Sequence, residues 1–442
     1  MNQPPTPCLD YPANPEKKSQ AAYWLNGMTA LQSCGFVLLA VSTALPLPVY
    51  DLLPMLSQYF TYGLNNASLL PLFNGHAIPL PRLLLVLEAE LTGGHAASLT
   101  ILTLACWLGC TALLLRQSRN VPPSWRLVIR TALVFCLLRA FLLEAIVIPN
   151  GFNYGLLCFF AVLAIILAVA MPKPDWWHQP LAALSALAAA LSLGNGLLLF
   201  PLLGLLGMIR QQTWRAAIPH ALVGAIAISF YFPGTIEHAP RDTIDPLRML
   251  DLLLHILGSP WIIKSSLIGY IWAGLLLGAS LGLIAWLLRR LSRLDPLHYL
   301  ALALLLFGLG SLCLISYARQ DFGSVIGTSG RYGMLNGLLQ AGLLLALPGW
   351  QQSLPAAASS RLAKAQRWRY GLLFAAVLLL AEQGAIGRVY WQMAQEARQD
   401  AIALRAGQRD PALLRHVHTQ PDEAFRILDE LAQRRLYGFA PR

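Results

Sequence analysis

The sequence predicts an all-α polytopic membrane protein of about eleven membrane-spanning helices, with a long first outer loop and a short helical carboxyl-terminal tail. Three observations predict it. Of the 442 residues, 56% are hydrophobic and 12% are charged, whereas a soluble domain carries roughly 25% charged residues. Apolar runs long enough to cross a bilayer core of roughly 30 Å recur from one end of the chain to the other. Lys and Arg gather in alternate loops, which is the bias that orients membrane proteins. That bias accounts for the net charge of +11 without a nucleic-acid partner.

In chain order, the runs lie near residues 27–48, 97–115, 127–148, 154–171, 216–233, 264–288, 297–317, 333–349 and 370–389. The stretch from Leu181 to Met208 is too long for one span and is interrupted by Ser192-Leu193-Gly194-Asn195-Gly196, so it divides into two short helices meeting at that turn. The first run follows a polar lead and is long enough to span, which predicts a retained signal anchor. Six of the seven cysteines, all but Cys8, fall within apolar runs without metal-ligand spacing and read as small core residues.

With the amino terminus in the cytoplasm, the inner segments hold Lys17 and Lys18; Arg116, Arg119 and Arg126; Arg210 and Arg215; Arg289, Arg290 and Arg293; and Arg361, Lys364, Arg367 and Arg369. Residues 1–390 then form the transmembrane domain, with outer loops near 48–95, 234–264 and 318–332. An odd number of spans sends the tail, 391–442, to the outer side, where its arginines run against the bias. Within the tail, Phe425, Leu428 and Leu431 recur at helical spacing among charges, which predicts an amphipathic helix packed on the membrane domain.

Candidate chemistry concentrates in the outer loops. The first begins with Asp51 at the end of a span; its apolar, aromatic segment Leu52 to Tyr62 suits a helix lying in the interface. His76, Arg82, Glu88 and Glu90 follow. The second loop carries Glu237, His238, Arg241, Asp242, Asp245, Arg248 and Asp251, and the third carries Arg319, Asp321 and the pair Arg331-Tyr332. A carboxylate beside cations at the lipid–water boundary suits attack of an acceptor hydroxyl on a lipid-phosphate-linked sugar. The acid takes the hydroxyl proton, and the planar fork of Arg binds the leaving phosphate. Asp51 is the foremost candidate base because it directly follows a span and stands alone in an apolar neighbourhood. Two charges, Arg139 and Glu144, fall within a predicted span; Arg139 calls for an acid or a polar lipid head as its partner.

The ordered motifs Asn74-Gly75-His76-Ala77-Ile78 with Pro81-Arg82, Leu87-Glu88, Gly93-Gly94, Ser192 to Leu199, Leu257-Gly258-Ser259-Pro260 and Gly327-Thr328-Ser329-Gly330-Arg331-Tyr332 extend over nearly the whole chain. Together they resemble bacterial GT-C type polytopic glycosyltransferases, including a branch that glycosylates type IV pilins. The resemblance implies a polyprenyl-phosphate sugar donor, inversion at the anomeric carbon, and an acidic catalytic residue in the first outer loop, matched by Asp51. It implies donor-phosphate roles for His76, Arg82, Arg331 and Tyr332. Gly75 and Ala77 depart from the Glu and Arg of the group's pattern, and Gly330 intervenes between Ser329 and Arg331, which keeps Glu88 beside Asp51 as a catalytic candidate.

The implied setting is the bacterial inner membrane, with the amino terminus cytoplasmic, the carboxyl terminus periplasmic, and membrane lipid, the lipid-linked sugar and an acceptor protein or glycan as partners. No cofactor or metal ligand set is assigned. The competing reading is a transporter or flippase of lipid-linked sugars, for which the broken helix and the charges at Arg139 and Glu144 would serve as the substrate path.

Overall fold

A computed structural model describes residues 15–72, 76–148, 151–171, 175–231, 244–259, 261, 265–353, 366–415, 417 and 420–439. Among these residues the regular structure is helical: α1 (Pro15–Ser42), α2 (Leu52–Tyr62), α3 (Asn66–Leu69), α4 (Pro79–Thr92), α5 (Ala96–Gln117), α6 (Pro123–Leu137), α7 (Leu143–Val147), α8 (Phe152–Ile165), α9 (His178–Ala190), α10 (Leu199–Gln211), α11 (Ile218–Ser229), α12 (Pro246–Gly258), α13 (Ser266–Leu288), α14 (Pro296–Arg319), α15 (Gly330–Gln352), α16 (Gln366–Arg405) and α17 (Pro421–Gln433).

Five helical segments of the described residues are long and apolar enough to cross a membrane: Ala22–Ser42, Ala96–Asn120, Phe152–Ala170, Ser266–Leu288 and Pro296–Phe322. Their outward faces suit lipid. On α13, Leu267, Ile268, Ile271 and Leu275 all point away from the protein, a row of large apolar side chains that water would not tolerate. Between helices, small residues allow close approach. A Cβ on Gly308 would lie 3.1 Å from Leu339, and one on Gly342 would lie 3.0 Å from the Ala301 carbonyl, so α14 and α15 pack nearly backbone to backbone.

The stretch read as one span at 127–148 is broken. Helix α6 stops at Leu137, Arg139 is extended, and a 3-10 turn at Ala140–Leu142 leads into α7. The break leaves backbone carbonyls unpaired in the interior, which side chains satisfy: Trp107 donates to the Leu137 carbonyl and Gln32 to the Leu138 carbonyl, the latter at 2.5 Å. The interruption at Ser192 to Gly196 falls where predicted, between α9 and α10. A Cβ on Gly196 would sit 2.3 Å from the Ala190 backbone nitrogen, so only glycine permits the turn.

The predicted interfacial helix is α2, with the expected bounds. The stretch near 234–264, predicted as a loop, carries α12, capped by the Asp245 carboxylate, which accepts from the Leu247 and Arg248 amides. Helix α16 continues through the boundary placed at residue 390 and ends at Arg405.

The tail and the stretch near 48–95, predicted as the first outer loop, share a hydrophobic core of their own. Leu52, Leu53, Leu56, Leu85 and Ala89 pack with Leu404, Leu414, Ile427, Leu428 and Leu431. The buried face of α17 is therefore Ala424, Ile427, Leu428 and Leu431, while Phe425 is only partly buried beneath the Arg409 guanidinium. The tail arginines bind the first loop and its approach: Arg398 donates to the Ser42 carbonyl, Arg405 to Pro46, Arg426 to the Ser57 hydroxyl and Arg434 to Phe60. These four arginines are thus engaged by carbonyl and hydroxyl oxygens of the segment from Ser42 to Phe60.

Candidate functional site

The first loop reaches its site through a tight turn. Tyr50 adopts a left-handed backbone, with φ 50°, a costly conformation for a residue with a bulky side chain. Its amide donates to the Val417 carbonyl of the tail at 2.6 Å. The next residue, Asp51, starts α2 without using its carboxylate to cap the helix. Among the described residues that carboxylate makes no hydrogen bond and no ion pair.

Arg331, in the first turn of α15, carries the complementary charge. Its guanidinium feels the Asp51 and Glu144 carboxylates and the Tyr154 and Tyr332 hydroxyls. It lies 5.3 Å from the centre of the Tyr332 ring, and Tyr332 meets Tyr154 edge-on at 6.0 Å. No hydrogen bond occupies the guanidinium among the described residues, and its Nε is buried without a partner. Arg319, at the end of α14, also acts on the Tyr154 hydroxyl and on His76. Burial, with Arg319 adding to it, pushes the His76 imidazole down to about 4, so it is neutral near pH 7.

Glu144 has less freedom than Asp51. One oxygen accepts from the Ser329 hydroxyl at 2.9 Å and the other from the Gly330 amide at 3.0 Å, so Glu144 caps α15 and fixes the turn that presents Arg331. Arg139 is committed elsewhere, in a forked pair with Glu382 of α16 at 3.0 Å and 4.9 Å from the Trp261 ring centre.

The broken helix borders the same region. A Cβ on Gly194 would come within 2.8 Å of the His76 ring, and the Tyr231 hydroxyl donates to the Ala190 and Ala77 carbonyls at 2.8 and 3.2 Å. The turn is thus a seat for the segment at His76 and Ala77.

Of the residues singled out from sequence, Arg331 adjoins Tyr332 and lies within electrostatic reach of Asp51, and Arg319 lies within electrostatic reach of both His76 and Tyr154. Arg82 and Glu88 have partners of another kind. Arg82 is buried in α4, where its Nη1 donates to Gln58 at 2.8 Å and to the Ser68 carbonyl at 2.5 Å while Nε and Nη2 are unpartnered; burial draws its guanidinium down to about 10. Glu88, also buried, accepts from the Tyr437 hydroxyl at 2.7 Å, from the His95 amide and from the Thr92 hydroxyl. Asn74, Gly75, Glu237, His238, Arg241 and Asp242 lie outside the described residues.

Sequence reasoning missed Tyr154 as a site residue and Glu144 as the cap of α15. An aromatic residue at the start of an apolar run carries no signal of its own, and Glu144 meets Ser329 across 185 positions. Among the described residues no group of three His, Cys, Asp or Glu side chains is arranged to hold a metal ion. Comparisons with models of protein families, with curated proteins and with solved structures gave no match.

Proposed function

We propose that the chain is a polytopic inner-membrane glycosyltransferase of about eleven spans, similar to the GT-C type, moving a sugar from a polyprenyl-phosphate donor to an acceptor hydroxyl at the periplasmic face. The observation that carries the reading is a carboxylate, Asp51, and a guanidinium, Arg331, within electrostatic reach of each other and neither engaged in a hydrogen bond among the described residues. In the proposed reaction Asp51 removes the acceptor proton, the acceptor oxygen bonds to the anomeric carbon, and the bond from that carbon to the phosphate oxygen breaks. Arg331, with Arg319 nearby, takes up the charge of the departing lipid phosphate. A single displacement inverts the anomeric centre.

Asp51 is preferred to Glu144 as the base because both Glu144 oxygens already accept a hydrogen bond, whereas the Asp51 carboxylate accepts none among the described residues. In this reading Arg82 and Glu88 brace the first loop, while His76 and Tyr332 line the donor side. The competing reading of a transporter or flippase loses its mid-span charges, since Arg139 is neutralised by Glu382 and Glu144 caps a helix. The test is incubation of purified protein with a panel of radiolabelled polyprenyl-phosphate sugars and a membrane extract. Label appearing in protein, glycan or lipid supports transfer; label that only crosses the bilayer supports transport.

A further inference from the structure

Asn26 and Thr29 near the middle of α1, the end of α5 and one side of α6 from Pro123 to Val134 enclose an open cavity of about 720 Å³. Four arginines line it, Arg116, Arg119, Arg126 and Arg130, and among the described residues none that lines it is acidic. Arg116 and Arg119 stand exposed at the rim, while Arg126 and Arg130 are half-buried. Among the described residues Arg126 Nε is buried without a hydrogen-bond partner, and its Nη2 reaches only the Val121 carbonyl at 3.4 Å. Arg130 has a single neutral partner, the Ser118 hydroxyl at 3.2 Å. Four guanidiniums around one cavity repel each other, and a buried donor without a partner is costly, so an anion in the cavity would relieve both costs.

We infer that this cavity holds the phosphate headgroup of an anionic membrane phospholipid. The arginine fork matches phosphate oxygens in pairs. Two of the bordering helices contain segments apolar enough to cross a membrane, Ala22–Ser42 and Ala96–Asn120, and Leu115, Leu127 and Val134 also face the cavity. A soluble anion has no use for an apolar wall, whereas acyl chains leaving the headgroup do. Basic pockets between helix ends on the cytoplasmic side are suited to such headgroups. The inference does not depend on the transfer reaction.

The full chain is reconstituted in phosphatidylcholine vesicles with and without phosphatidylglycerol, and bound lipid is read by native mass spectrometry beside the thermal unfolding midpoint. The parent retains phosphatidylglycerol through purification and its midpoint rises with that lipid. The double variants Arg126→Gln/Arg130→Gln and Arg116→Gln/Arg119→Gln each bind it at least about tenfold more weakly. The rim pair decides the matter should the half-buried pair fail to fold. Equal retention and an equal shift in the parent and the rim variant overturn the site. An equal rise produced by inorganic phosphate in pure phosphatidylcholine vesicles overturns the lipid assignment in favour of a soluble phosphate.

Discussion

Substitution of Tyr437 by Phe tests whether the tail and the first outer loop form one unit. The Tyr437 side chain is 1% exposed and its hydroxyl donates at 2.7 Å to Glu88, itself 7% exposed. Burial and the adjacent carboxylate hold the phenol well above its usual range, so it remains a donor at any working pH. Two backbone bonds survive the substitution, from the Tyr437 amide to the Gly93 carbonyl and from Arg405 to the Tyr437 carbonyl. Only the hydroxyl is lost. A hydrogen bond to a charged group contributes about 1.5–3 kcal/mol, and Glu88 keeps its bonds from His95 and Thr92. The undocked tail should therefore become about 10- to 100-fold more populated, since each 1.4 kcal/mol or so is tenfold. Limited proteolysis of the tail in micelles, with cleavage slow relative to redocking, reads this population directly. A double-mutant cycle with Glu88→Gln isolates the pair. Cleavage of Tyr437→Phe at the parent rate, with no coupling in the cycle, would refute the docking.

Three further outcomes are expected. Glu382→Gln leaves Arg139 without its charged partner in a buried setting, at a cost of about 3–5 kcal/mol, and chemical denaturation in micelles should register it; a neutral result would mean that water reaches the pair. The His76 imidazole binds its proton more weakly folded than unfolded, so the unfolded chain takes up more protons between about 6.5 and about 4. Stability on the order of 2–3 kcal/mol should be lost as pH falls through that window, and His76→Gln should flatten the profile there. Arg331→Lys keeps the charge but not the fork, so transfer should slow several-fold while insertion is unchanged; parent kinetics would remove Arg331 from the donor phosphate.

Much of the membrane character was legible in the sequence because hydropathy and glycine chemistry are local. The turn near Gly196 could be located because a glycine-containing interruption in an overlong apolar run has few other meanings, and α2 could be bounded by its amphipathic composition. The break at Arg139 was hidden, since the flanking residues stay apolar and the groups that make it tolerable, Trp107, Gln32 and Glu382, are distant in the chain. Helix α12 was missed because charges at its start masked an apolar face formed by Leu252, Leu253, Ile256 and Leu257. Within the site, Asp51 and Arg331 could be named from their positions at the ends of apolar runs, whereas their proximity depends on Glu144 and on the Tyr50–Val417 bond, which no local pattern reports.

The most direct test of the transfer mechanism is the rate of Asp51→Asn, measured beside Glu88→Gln with purified protein and the labelled donor that the parent uses. The amide keeps the shape of Asp51 but removes its basic oxygen, and a positioned general base contributes about 10²- to 10⁴-fold. The account predicts an Asp51→Asn protein that inserts and binds donor yet transfers sugar slower by that factor, and a Glu88→Gln protein whose loss is in stability. Transfer by Asp51→Asn at the parent rate would contradict it, whatever the behaviour of Glu88→Gln.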